Sequence, residues 1–100
     1  MRKIEKKIEK AIEINGVQYE VVKDKGNCVN HEELLEKVTD YFEPFDYIFG
    51  DYAYEKVRLK GFYEANNKKV TEINNVKNLD DYIKNYCSYE AKYFLLKKIK

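Results

Sequence analysis

The sequence predicts an α+β fold: a mainly antiparallel sheet of five to six strands with two packed helices, in the order β-β-α-β-β-(β)-α-β. Three observations predict it. Asn15-Gly16 joins two short apolar-rich runs, the strongest short-range signature of a hairpin. Two stretches, opening at Asn30 and Asn78, repeat apolar residues at helical spacing. The other apolar residues cluster in short runs of Ile, Val, Leu, Phe and Tyr, types that favour strands.

Residues 1–10 hold five cations and two anions around Ile4 and Ile8. Two apolar side chains anchor little, so this stretch is expected to be a basic appendage to a single domain over residues 11–100. Ala11–Ile14 and Val17–Lys23 form the first hairpin, because a type I′ turn needs positive φ at both central positions. Lys25–Asn27 is a loop. Asn30 is expected to cap a helix, with Glu33 as its reciprocal partner in a capping box. Leu34, Leu35, Val38, Tyr41 and Phe42 fall on one helical face, and Pro44 ends that helix. Phe45–Phe49 reads as a strand broken by Gly50-Asp51, and Tyr54–Tyr63 as the next strand. Asn66-Asn67-Lys68 is a turn and Lys69–Ile73 an optional short strand. Asn78 caps a second helix with the stripe Leu79, Tyr82, Ile83, Tyr86 and Cys87, and Tyr89–Ile99 is the final strand. The expected core is Val21, Leu34, Leu35, Val38, Phe42, Ile48, Val57, Leu59, Leu79, Ile83 and Leu95.

Composition narrows the setting. No apolar run approaches the roughly 20 residues that span a bilayer, and the charged N-terminus lacks a signal-peptide core. A cytoplasmic protein is expected, with Cys28 and Cys87 as reduced thiols. The net charge of +1 conceals a basic start, a lysine-rich end and an acidic middle. Basic ends are either solvated or contact nucleic acid or a membrane surface.

Residues 45–63 are the most informative stretch, with seven aromatic rings, two glycines and an arginine flanked by lysines. At period two, Val57 and Leu59 point one way and Tyr54, Lys56, Arg58, Lys60 and Phe62 the other. The run Phe45-Asp46-Tyr47-Ile48, then Gly50-Asp51-Tyr52, then Arg58-Leu59-Lys60-Gly61-Phe62-Tyr63 resembles the YutD-like family of small bacterial proteins. The hairpin Ile12–Val22, the helix Asn78–Cys87 and the strand Ala91–Leu96 continue the likeness, which spans about residues 11–98. Tyr52 stands where the family pattern has Trp, and Ala53 where it has Gly. The resemblance implies the fold and a bacterial cytoplasmic setting, and it supplies no active site.

The chemistry legible in the residues is mainly that of binding. His31 is the single histidine, so no ligand-spaced metal cluster forms, and no cofactor motif occurs. Neither cysteine has a histidine partner in the pattern of a nucleophile. Asp46, Asp51 and Arg58 could act together as a catalytic acid–cation group, or serve as a structural charge cluster. The face of Tyr54, Lys56, Arg58, Lys60 and Phe62 is the candidate binding surface, with Lys92 and Lys98 able to extend it. A protein-interaction or adaptor module is the first reading, with an unknown protein partner. Single-stranded RNA is the alternative, since rings stack on unpaired bases and cations meet phosphates. A small enzyme is the third, and the pattern leaves the oligomeric state open.

Overall fold

The computed structural model describes residues 11–53, 55–87 and 91–99. The expected appendage at 1–10 lies outside them, as does Tyr54. Strands β1 (Ala11–Ile14) and β2 (Val17–Lys25) form the Asn-Gly hairpin, with Asn15 at φ 52° and Gly16 at φ 88°. The type I′ requirement of positive φ at both positions is met. The chain continues through α1 (His31–Lys37), β3 (Tyr47–Ala53), β4 (Lys56–Phe62), α2 (Leu79–Tyr86) and β5 (Tyr93–Lys98).

The sheet order is β1-β2-β5-β3-β4, and every strand pairing is antiparallel. The last strand therefore slots into the centre, between β2 and β3. Both faces of the sheet are covered. Ile48 of β3 with Phe94 and Leu96 of β5 pack with Ile14, Tyr19, Leu34, Val38 and Phe42 on one side. Tyr47 and Phe49 with Leu95 pack with Phe62 and Leu79 on the other. Successive residues of a strand face opposite ways, so one strand feeds two cores. Each large apolar side chain removed from water in these clusters contributes about 1.5–3 kcal/mol.

Several elements differ from their sequence expectation. The first helix stops at Lys37, and a 3-10 turn over Asp40–Phe42 replaces its second half. Thr39 breaks the run by accepting the Tyr41 N–H at its hydroxyl. The buried stripe narrows to Leu34, Val38 and Phe42, while Leu35 is 40% exposed, correcting its place in the expected core. Asn30 accepts the Glu33 N–H at 3.0 Å as a cap, but the Glu33 carboxylate accepts the Tyr52 hydroxyl at 2.8 Å instead.

Gly50-Asp51 does not break a strand; β3 runs through both residues. Gly50 is there for packing. A Cβ at this position would lie 2.2 Å from Cζ of Phe94. Asn78 is not a side-chain cap for α2, its amide donating instead to the Glu72 carbonyl at 3.1 Å. The optional strand at 69–73 is turn and 3-10 structure. Residue 75 alone joins the sheet margin, by a parallel bridge to Tyr63. Val21, Val57, Leu59 and Ile83 are half-buried against the two cores rather than inside them.

Candidate functional site

The face of β4 that carries Arg58, Lys60 and Phe62 lies on the α2 side of the sheet. Asp51 and Arg58 are direct cross-strand partners. The Arg58 Nε–H donates to Asp51 Oδ1 at 3.1 Å and its Nη2 donates to Oδ2, a two-pronged ion pair. Asp51 is 3% exposed, and its hydrogen bonds to Arg58, then its charge, hold the guanidinium protonated even more firmly than usual. Lys60 Nζ rests 5.2 Å from the centre of the Phe62 ring and 5.6 Å from that of Tyr82. Phe62 is 1% exposed, set edge-on to Phe49 and Tyr82. Its ring is a support under α2, and the accessible parts of this face are the cations. Among the described residues, no carboxylate sits within ion-pair distance of Lys56 or Lys60.

Asp46 is not brought together with Asp51 and Arg58. It precedes β3, is buried, and accepts the Glu64 N–H at 2.8 Å and the Asn67 amide at 3.0 Å, pinning the turn that follows β4. Lys92 and Lys98 do not extend the β4 face either, since β3 separates β5 from β4. The Lys98 ammonium donates to the Glu43 carbonyl, and the stem of Lys92 lies over Gly26.

Cys87 joins the acid–cation pair, its thiol donating to Asp51 Oδ2 at 3.3 Å. Burial, then the bond to Asp51, pushes this thiol up to about 11. Cys28 is also pushed up to about 11, first by burial and then by the charge of Asp24. Nucleophilic chemistry needs the thiolate, so both are poorly suited to it at neutral pH. His31 Nε2 lies 2.7 Å from the Glu13 carbonyl oxygen. Among the described residues, no group of three or more His, Cys, Asp or Glu side chains could hold a metal ion. No described helix is long and apolar enough to cross a membrane.

Among the concavities formed by the described residues, two adjoin the 45–63 stretch. One, of about 820 Å³, opens between the Asn27–Asn30 loop, Tyr52, Glu55 and Lys92, and its wall is tied by the Tyr52 hydroxyl to Glu33. The other, of about 250 Å³, runs along the flank of β4 between Tyr41 and Ile73, over Phe45, Leu59 and Gly61. Gly61 makes this floor. A Cβ there would fall 2.3 Å from the Phe45 ring. Phe45 in turn stacks obliquely on Tyr63 at 4.7 Å and on Tyr41 at 5.5 Å. Tyr41 is 68% and Ile73 75% exposed. Sequence patterning missed this groove because it gathers three separate segments. Its one signal was Ile73, an isolated apolar residue in the polar run Thr71–Asn75.

Comparison with known proteins gives a concordant answer. A family model described as "YutD-like: Putative antitoxin YutD-like" matches residues 13–97. "Putative antitoxin YutD" of Bacillus subtilis (strain 168) is 36% identical over 87 residues, covering 87% of this chain and 96% of that protein. The solution NMR structure of protein yutD from B. subtilis superposes with a TM-score of 0.77 at 36% identity, covering 96% of this chain and 87% of the other. A match that runs from the Asn-Gly hairpin to the central closing strand takes in both cores and the β4 motif, and it places the chain in the YutD-like family.

Proposed function

We propose that the chain is a non-enzymatic interaction or adaptor module of the bacterial cytoplasm, of antitoxin type, whose protein partner docks along the flank of β4. The observation that carries this reading is the groove between Tyr41 and Ile73. Two large side chains stand exposed beside an aromatic floor, with Lys60 at the rim of the groove. Rings and aliphatic anchors at such positions carry most of the energy of protein interfaces, and a rim of cations steers an acidic partner. The residues of the ring-and-cation motif then divide their roles. Lys56 and Lys60 meet the partner, Arg58 keeps Asp51 neutralised, and Phe62 holds the strand against α2; Tyr54 lies beyond the described residues. The relative's name as an antitoxin accords with a protein partner. Asp46 and Asp51 are each engaged by donors, which supports binding over catalysis.

Single-stranded RNA is the second reading, favoured by Tyr86, which is exposed and stacked at 5.0 Å on the Tyr82 ring that Lys60 overlies. Site-specific photo-cross-linking decides between them. A benzophenone amino acid is placed at position 73, at position 86, or at position 36 as a remote control, and the chain is expressed in bacterial cells. A protease-sensitive, nuclease-resistant adduct at position 73 that Tyr41→Ala abolishes is the expected result. A nuclease-sensitive adduct at position 86 would favour RNA. Adducts at position 73 no more abundant than at position 36 would refute the docking surface.

A further inference from the structure

The open edge of β4 has a chemistry that specifies more than a general docking flank. β4 is the terminal strand of the sheet. Backbone groups of alternate residues in a strand face alternate edges. Tyr63 shows which residues face outward, because its N–H donates to the Asn74 carbonyl at 2.7 Å and its carbonyl accepts the Val76 N–H at 2.9 Å. Two, four and six residues earlier, Gly61, Leu59 and Val57 present their N–H and C=O groups to the same side. Among the described residues, no backbone group pairs with them. The strand keeps a regular register with β3 and contains no proline. It therefore lacks the bulge or proline that commonly blunts an edge, and its protection is charge alone.

That charge selects the occupant. Resting on the protein-binding reading above, we infer that β4 takes up an acidic, extended segment of the partner as a sixth strand. A second copy of the chain is disfavoured. Two β4 strands paired antiparallel about Leu59 would set Arg58 of each against Lys60 of the other, and like charges opposite one another destabilise a ladder. An incoming strand with carboxylates on the cation side would instead meet Lys56 and Lys60. Its alternate side chains would point to the other face, where Phe45 and Gly61 floor the groove beside Tyr41 and Ile73. The expected segment thus alternates acidic and apolar residues, and it ends where the 74–76 segment already pairs with Tyr63. Main-chain bonds give such strand addition its affinity and the side-chain alternation its selectivity.

The probe is a labelled heptapeptide alternating glutamate and valine, compared with its lysine–valine counterpart and with a copy N-methylated on alternate ladder amides. Binding to the full chain is read by fluorescence anisotropy and by amide hydrogen exchange. The acidic peptide is expected to bind at least ten-fold tighter than the basic one at low salt. It should slow exchange at Val57, Leu59 and Gly61 by ten-fold or more, leaving Arg58 and Lys60 unchanged, and N-methylation should abolish the effect. Lys56→Glu/Lys60→Glu should reverse the preference. Lys60 lies on two rings, so Lys56→Glu alone serves if the double variant unfolds, and it should at least halve the preference. Equal binding of both peptides, or binding without alternate protection along β4, overturns the inference. So does an absence of binding at millimolar peptide. If position 73 still yields a protein adduct in those cases, the docking surface stands and strand addition alone falls.

Discussion

Gly50→Ala tests how the two cores are built, because its cost follows from one contact. Gly50 pairs with Phe94 across the β3–β5 ladder. An added Cβ would lie 2.2 Å from Phe94 Cζ and 2.6 and 2.7 Å from its Cε atoms. Favourable carbon contacts lie near 3.5–4.0 Å, so the overlap exceeds ~1 Å. Phe94 is 1% exposed in the centre of the sheet and has no free direction to move. Overpacking of this kind costs about 1–3 kcal/mol, and the severity of the overlap argues for the upper end. Gly50 is not in the positive-φ region, so replacement by alanine also removes the ~0.5–1 kcal/mol entropic penalty of glycine in a strand. The net loss is about 2 kcal/mol, or roughly 8–16 °C in Tm for a domain of this size. Urea and thermal unfolding followed by circular dichroism measure it. Phe94→Leu, which retracts the ring, should rescue Gly50→Ala, with a coupling of ~1–2 kcal/mol in the double-mutant cycle. A Gly50→Ala variant as stable as the parent, or strictly additive behaviour of the pair, would show that glycine is not present for the Phe94 ring.

Leu34→Ala should cost about 2–5 kcal/mol in urea unfolding, whereas the neighbouring Leu35→Ala should cost under ~1 kcal/mol, since Leu34 is buried and Leu35 exposed. Equal losses would contradict the narrowed stripe of α1. Arg58→Ala leaves the buried Asp51 carboxylate without its charged partner and should destabilise by about 2–3 kcal/mol, while Asp51→Asn added to it should recover part of that loss. Strictly additive losses would place Asp51 outside this pair. The thiols of Cys28 and Cys87 should react with iodoacetamide only as pH approaches about 11, later than a free cysteine at ~8.5. Their raised values in the fold give stability that is complete below the unfolded thiol range and fades as pH rises through about 11, so unfolding midpoints should fall across that alkaline window. Rapid alkylation of folded protein at neutral pH would contradict this environment.

The local turn and cap chemistry was legible in the residues themselves. Asn15-Gly16 determines its turn because few other pairs accept positive φ twice, and Asn30 caps α1 because its side chain reaches a backbone amide three residues on. The alternation along β4 likewise separates Val57 and Leu59 from Arg58, Lys60 and Phe62, and the fold sends Val57 and Leu59 to one core and Phe62 to the other. Patterning went astray where distant segments compete for the same space. Gly50-Asp51 has the composition of a turn, yet β5 lies beside it and turns the missing Cβ into room for Phe94, while Arg58 meets the carboxylate across the ladder. Leu35 and Tyr41 fit one helical stripe, but Leu35 lies outside the narrower face α1 buries, and Tyr41 falls in the 3-10 turn after the helix has ended. Lys60 and Phe62 read as an exposed ring-and-cation pair until α2 places Tyr82 over them. The sequence by itself determined the Asn-Gly turn, the first cap, the alternation along β4 and the family, because these depend on residues within a few positions of one another. Only the tertiary structure decided that β5 takes the centre, that β4 is left as an open edge and that Tyr41, Phe45, Gly61 and Ile73 share a groove, because those depend on contacts between segments far apart in the chain.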